Sequence, residues 1–279
     1  MYLDSLIFIL SADRSKMSIW LSIFYPPPPS AFVAAMSVIS CASLAYSGLS
    51  EVRGRHLQYS KFWNTGRPSD DARRACISSR AGMLLLYTPA LASAAASFGV
   101  LAGERSLLLG LALLLHFFKR DFEVLFIHQY SGNMMLDSTI PISLSYFLNT
   151  VCMIYAQYLT QGVPEPAVDL KYAGVVLFLV GIVGNFYHHC LLSKLREKGD
   201  KRYKIPKGGL FRLVICPHYL FEIIGFIGVS LISQTVYAFS FTTGTVFYLM
   251  GRSYATRKWY LSKFQDFPKE VKALIPYIY

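Results

Sequence analysis

Seven apolar stretches, with Lys and Arg crowded into alternate connections between them, leave this chain few ways to fold. They are 31–50, 81–102, 106–118, 139–160, 173–192, about 213–232, and 234–251. A helix crosses a bilayer with about 20 mostly apolar residues. The third stretch therefore spans only by running on past Lys119 and Arg120, and the sixth must carry a Pro, a His and a Glu inside it. The connections after the first six stretches hold seven, one, two, one, eight and no Lys or Arg, and the tail holds six. High counts in alternate positions are what the positive-inside rule demands of a chain with one orientation. The connections 51–80 and 193–212 and the tail are expected on the cytosolic side; the N-terminus and the loops 103–105 and 161–172 face the other way.

Composition agrees. Of 279 residues, 54% are hydrophobic and only 15% charged, against a usual charged share of about 25%. A disordered chain, a disulfide mini-protein and an ordinary cytosolic enzyme are excluded. The net charge of +11 is split among separate loops, so it reads as topology and nearness to anionic headgroups, with no nucleic-acid partner. The expected fold is an all-α, polytopic membrane protein of about seven transmembrane helices. It comprises an N-terminal segment 1–30, ended by the helix-stopping PPPP at 26–29, and one membrane domain 31–279. Residues 5–10 run into Arg14 and Lys16 without a small-residue cleavage site, unlike a signal peptide. The five cysteines include no CxxC pair and read as buried small hydrophobes, not metal ligands.

Ionisable residues inside such helices are costly and usually face a cavity or one another. Three sets stand out. In LHFFKRDFEVLFIH, His116, Lys119, Arg120 and Glu123 share one helical face; the plainer alternative is a snorkelling helix end with a Lys119–Glu123 pair. In GNFYHHCLLSKLR, Asn185, His189, Leu192 and Arg196 form a stripe. His188 and His189 point about 100° apart on a helix, and neither has a His or carboxylate at i+3 or i+4, so no metal is expected. In YKIPKGGLFRLVICPHYLFEIIGF, a turn leads into an apolar helix carrying His218, Tyr219 and Glu222. No GxGxxG or GxxxxGK[ST] phosphate loop is present, so any nucleotide must be held by side chains among helices.

The third set and the tail, KWYLSKFQDFPKEVKALIPYIY, resemble the C-terminal region of the steroid 5α-reductase (3-oxo-5α-steroid 4-dehydrogenase) family, plant-type members included. The resemblance is clear over about 110–279. The central KRDFEVLFIHQYSGNMML is more similar to the very-long-chain trans-2-enoyl-CoA reductases of the wider family. The resemblance implies a seven-helix enzyme of the endoplasmic reticulum membrane, in steroid and lipid metabolism, with NADPH as cofactor and residues 110–279 as the cofactor-binding part. It reduces a carbonyl-conjugated C=C bond of a lipid, either a steroid enone or an enoyl-CoA, and has possible partners in a lipid-synthesis complex. Arg120, Asn185, Arg196, Tyr203, Glu222 and Tyr260 match cofactor-contacting positions of the family. His189 and His218 stand where other members have Asp and Asn. Tyr87 and Phe117 stand where the steroid enzymes have their Glu–Tyr acid pair, and Phe117 cannot donate a proton. Lys119, Glu123 and Tyr219 match motif positions of the enoyl-CoA enzymes.

The chemistry suits these residue types. Reduction leaves negative charge on the carbonyl oxygen, which needs a donor placed in advance, and the α-carbon needs a proton. Tyr219 is the first candidate donor, with Lys119 second and Tyr87 as an alternative hydroxyl. Two other readings compete: a membrane methyltransferase, and a non-catalytic relative that keeps the fold without the acid pair.

Overall fold

The computed structural model describes residues 22–27, 30–57, 62, 75–130, 132–195 and 202–279. Most of the basic connection 51–80, and Arg196, lie outside the described residues. Among the described residues seven long helices follow in order: α1 Ala31–Val52, α2 Ser79–Ala96, α3 Glu104–Phe122, α4 Leu136–Tyr158, α5 Lys171–Ser193, α6 Pro217–Ser233 and α7 Val236–Lys263. The all-α expectation holds, with one addition. A two-stranded antiparallel ribbon pairs β1 (Cys76–Ser78) with β2 (Asn133–Met135).

Local sequence explains where helices start. Ser30, Ser78 and Thr235 accept hydrogen bonds from the backbone N–H groups of Val33, Ala81 and Ala238, satisfying first-turn donors that have no helical partner. Pro217 occupies the first turn of α6, where its missing N–H costs nothing. That helix therefore begins about four residues later than the apolar run, after a 3-10 turn at Gly209–Arg212. The third stretch does run past its two cations: α3 reaches Phe122 and continues as a π-helical turn over Glu123–Ile127. In contrast, α2 stops at Ala96 and closes in a 3-10 turn at Ser97–Gly99, short of residue 102. The seventh helix runs twelve residues beyond Gly251, to Lys263.

Four helices, α1, α2 with its 3-10 turn, α4 and α5, are long and apolar enough to cross a membrane. With the apolar but shorter α6, they make a multi-pass membrane protein. Helices gain no hydrophobic drive from meeting in lipid, so close backbone packing must hold them. Two seams do so. Between α5 and α6, a Cβ on Gly174 would come within 2.6 Å of the Gly228 carbonyl, and one on Gly181 would collide with Gly225. Between α1 and α7, one on Gly251 would strike the Gly48 carbonyl.

One end of the bundle is locked by Arg105, at the start of α3 and 3% exposed. Its Nε donates to Glu165 Oε2 at 2.7 Å, and its Nη2 reaches the same oxygen at 2.5 Å and Asp169 Oδ1 at 2.6 Å. Its Nη1 donates to the Ile232 carbonyl and to Gln234 Oε1, both at 2.8 Å. Gln234, left-handed at φ 49°, joins α6 to α7, and its amide donates to the carbonyls of Val168 and Ile23. Burial raises the Asp169 carboxyl, but the backbone N–H and ammonium of Lys171 and the guanidinium of Arg105 outweigh it and hold the pKa at about 2.

Candidate active site

The opposite, basic end is open. A cavity of about 540 Å³ is walled by α2 to α7, the β2 approach and the segment after residue 202. The C-terminal tail packs against the segment that brings Ile215 to this wall: Ile215 N donates to the Lys272 carbonyl and Lys272 N to the Leu213 carbonyl, both at 2.9 Å.

The last turn of α3 supplies the charges. Glu123 is fully buried. Lys119 Nζ lies 3.1 Å from its Oε1, and Arg120 Nη1 lies 3.1 Å from its Oε2. His189 Nδ1 approaches that Oε2 at 3.0 Å, with His128 Nε2 at 4.0 Å. The ligand atoms of Glu123, His128 and His189 gather within 4.8 Å of one another. So His189 does have a carboxylate neighbour, from another helix, which its own helix could not reveal. Two cations already stand against that carboxylate, and a divalent ion there would be repelled by both. The arrangement is a charge-paired knot that fixes the direction of the Arg120 guanidinium. Arg120 also donates to the Tyr87 hydroxyl through Nη2 and sits 4.7 Å over the Tyr87 ring.

Behind the knot, Lys119 donates to Asn185 Oδ1, and Asn185 Nδ2 donates to the His218 carbonyl at 2.8 Å. Three helices are thereby tied together at the head of α6. Of the sequence candidates, Tyr87, Arg120, His189, Tyr203, His218, Tyr219, Glu222 and Tyr260 line the cavity. Lys119, Glu123 and Asn185 stand behind it as supports. Phe117 is 2% exposed, its ring 6.0 Å from that of Tyr146. His116 packs on Phe117 and Phe226. His188 faces away: its Nδ1 donates to the Gly184 carbonyl at 2.7 Å, and its Nε2 accepts from Leu210 N at 3.2 Å. These two bonds set its tautomer and pin the Gly208–Gly209 turn, where a Cβ on Gly209 would fall 2.7 Å from Nε2.

Sequence reasoning missed a second guanidinium. Arg252, on α7 and 2% exposed, lines the cavity. Its Nη1 donates to Glu51 Oε1 at 2.7 Å and the group lies 4.3 Å over the Phe62 ring. In sequence Arg252 reads as one more positive-inside charge, and Glu51 as a loop residue; 201 residues separate them. The tyrosines Tyr130, Tyr146 and Tyr248 of the wall were missed too.

Against known families, residues 138–279 match the model of the 3-oxo-5-alpha-steroid 4-dehydrogenases, half of the chain. The chain belongs to that family. It is 45% identical over 108 residues to the steroid 5-alpha-reductase DET2 of Gossypium hirsutum, covering 38% of this chain and 42% of the relative. It is 33% identical over 174 residues to a very-long-chain enoyl-CoA reductase of Dictyostelium discoideum, covering 59% and 55%. The match to 3-oxo-5-alpha-steroid 4-dehydrogenase 1 of Macaca fascicularis is 29% over 257 residues, covering 88% and 94%. The chain thus spans about half the length of the first two of these relatives.

Proposed function

We propose that this protein is a membrane reductase that uses NADPH to saturate a carbonyl-conjugated C=C bond in a lipid of the 3-oxo-steroid type. The observation that carries this reading is the convergence, on one cavity at the basic end, of polar residues drawn from six helices and a loop. The residues suit the cofactor. Arg120, Arg252 and Lys204 offer cations for a diphosphate and a further phosphate. Glu222, 9% exposed in the wall, offers an acceptor for ribose hydroxyls or a carboxamide. Tyr203 and Tyr260, beside Trp259, offer faces for a flat ring. Arg196, outside the described residues, remains the sequence candidate for the 2′-phosphate.

When bound, NADPH supplies a hydride for the β-carbon of the substrate. The chain's own residues do the rest. The Glu123 knot keeps Arg120 aimed into the cavity, and Arg120 in turn orients the Tyr87 hydroxyl. Tyr219, whose ring packs with the clusters under the tail, borders the cofactor side. The cytosol is the natural side for this mouth, the endoplasmic reticulum the natural membrane, and a lipid-synthesis complex the natural setting.

A second reading, an enoyl-CoA reductase, is favoured by one feature: Phe117 lacks the hydroxyl of the steroid enzymes, while Lys119 and Glu123 keep the enoyl-CoA pattern. Microsomes containing the protein, given labelled NADPH with either a Δ4-3-oxosteroid or a trans-2-enoyl-CoA, separate the two. Label in the steroid alone supports the first reading and label in the acyl chain alone the second. Label in neither sinks both. Arg196→Ala should weaken NADPH binding far more than NADH binding; equal weakening removes Arg196 from the phosphate site.

A further inference from the structure

Helix α1 ends in an arrangement that its own stability does not ask for. Gly54, left-handed at φ 81°, closes it: Gly54 N donates to the Glu51 carbonyl at 3.1 Å and Arg55 N to the Ser50 carbonyl at 2.9 Å. This glycine stop turns the chain back on the last helical turn and brings His56 and Leu57 against the Glu51 side chain. A carboxylate there sits at the negative end of the helix dipole, which disfavours it. Glu51 is nevertheless 1% exposed and engaged through both oxygens. Its Oε1 accepts from Leu57 N at 3.2 Å and from Arg252 Nη1 at 2.7 Å, and its Oε2 lies 2.6 Å from His56 Nδ1. A carboxylate oxygen only accepts, so His56 is the donor.

Phe62 completes the group. Its ring stacks on His56 with 4.2 Å between centroids, and its centroid lies 4.3 Å from the Arg252 guanidinium. The four side chains form a closed ring of contacts, from Arg252 to Glu51, His56, Phe62 and back. Of the four, Arg252 alone lines the cavity. The close approach of Gly48 and Gly251 already fastens α1 to α7. The ring of side chains adds what that seam does not, a fixed direction for the guanidinium.

Resting on the reductase reading, we propose that Glu51 is a positioning residue for the cofactor: standing outside the cavity, it holds the Arg252 guanidinium toward the phosphates of the dinucleotide. An arginine has a long, rotamer-rich stem. One that is not held must be ordered by its ligand, and the ligand's affinity bears the cost. Glu51 and Phe62 order Arg252 beforehand. Part of the cofactor site thus depends on the first helix and the loop after it, outside the residues 138–279 that match the family model.

The test uses the full-length protein in detergent, with the lipid substrate that the parent reduces. Glu51→Asp keeps the charge and withdraws it by one methylene. KM for NADPH should rise about tenfold, the cost of ordering one rotamer-rich side chain on binding. Both kcat and KM for the lipid should change by less than about twofold. Arg252→Lys keeps the charge but loses the planar fork that suits a phosphate, and it should raise KM for NADPH on its own. In that background Glu51→Asp should add less than about twofold, because a residue that acts through Arg252 has nothing left to position. The same full rise in both backgrounds means that Glu51 only fastens α1 to α7, and overturns the assignment. Phe62→Leu keeps apolar bulk but removes the ring beside the guanidinium, and it gives the answer if Glu51→Asp does not fold. KM for NADPH should then rise about threefold, and an unchanged KM overturns the assignment. A parent that binds NADPH while Glu51→Asp keeps the parental KM overturns the assignment alone. A parent that shows no NADPH binding by titration overturns the reductase reading, and the assignment with it.

Discussion

Helix α3 carries an arginine near each end, and the two are used in opposite ways. Fifteen residues apart, Arg105 and Arg120 stand about 22 Å from each other along the axis. A guanidinium has five N–H groups. Arg105 commits all five to Glu165, Asp169, Gln234 and the Ile232 carbonyl. Arg120 commits three to Glu123, His189 and Tyr87 among the described residues, and it faces the cavity. The first is a bolt that joins α3, the end of α6, the turn between α6 and α7, and the loop 159–170. The second is steadied on one side and open on the other. Burial alone does not separate them; what differs is how much of the hydrogen-bonding capacity the protein itself has consumed. A buried charge that the fold has not saturated is a candidate binding arm.

The comparison can be broken most sharply at Arg105. Arg105→Ala takes the side-chain donor from the buried Ile232 carbonyl and one of two donors from Gln234 Oε1, and an unmet buried acceptor costs about 1–3 kcal/mol; Glu165 and Asp169, 53% and 39% exposed, turn to solvent at little cost. The thermal midpoint in detergent should fall by roughly 5 °C, with cofactor affinity unchanged in whatever folds. Arg120→Gln is the mirror experiment. NADPH affinity should fall about 100-fold, or about 2.7 kcal/mol, with a smaller loss of stability from the exposed side of the Glu123 knot. If the two variants exchange these phenotypes, the division between bolt and binding arm is wrong. Glu222→Gln, which keeps shape and removes charge from the wall, should weaken cofactor binding about tenfold by titration and leave the midpoint alone; an unaffected affinity makes Glu222 structural.

The smallest effect concerns acid. Asp169 is held at about 2 in the folded protein against about 3.9 unfolded. Its contribution is present above the unfolded value and fades as pH falls through the folded one. Between pH 4 and pH 2 the parent's midpoint should drop more steeply than that of Asp169→Asn. The effect should be modest, because the carboxylate is 39% exposed and solvent screens it. Parallel slopes would detach Asp169 from the bolt.

How much of this was legible in the sequence depends on whether a relation lies within one helix. The seven helices, the Lys119–Glu123 pair and the shared face of Lys119, Arg120 and Glu123 follow from helical spacing, and the structure keeps them. The start of α6 was misplaced because apolar residues 213–216 extend a hydropathy signal that Pro217 interrupts. The Arg252–Glu51 pair was invisible, since no periodicity links residues on the first and last helices. His128 was overlooked as a loop residue, although the π-helical turn carries it back toward Glu123. The candidate site was half legible: the motifs named most of its polar wall, while the tyrosines of α4 and α7 carried no pattern to distinguish them from lipid-facing aromatics.

The pairing of α1 with α7 has a consequence for biosynthesis. Glu51 and Arg252 lie 201 residues apart, and at about 5–20 residues/s the ribosome needs roughly 10–40 s to make the second after the first. Through that interval α1 has neither its charge partner nor the glycine seam at Gly48 and Gly251. It must wait in the membrane with only its smaller contact to α4, through Ser40 and Asn149 and the rings of Phe32 and Tyr155, and its apolar composition lets it do so. Meanwhile α5 and α6, adjacent in sequence, can close their own seam as soon as both have emerged. The cavity, whose wall includes Arg252, cannot close until α7 has emerged.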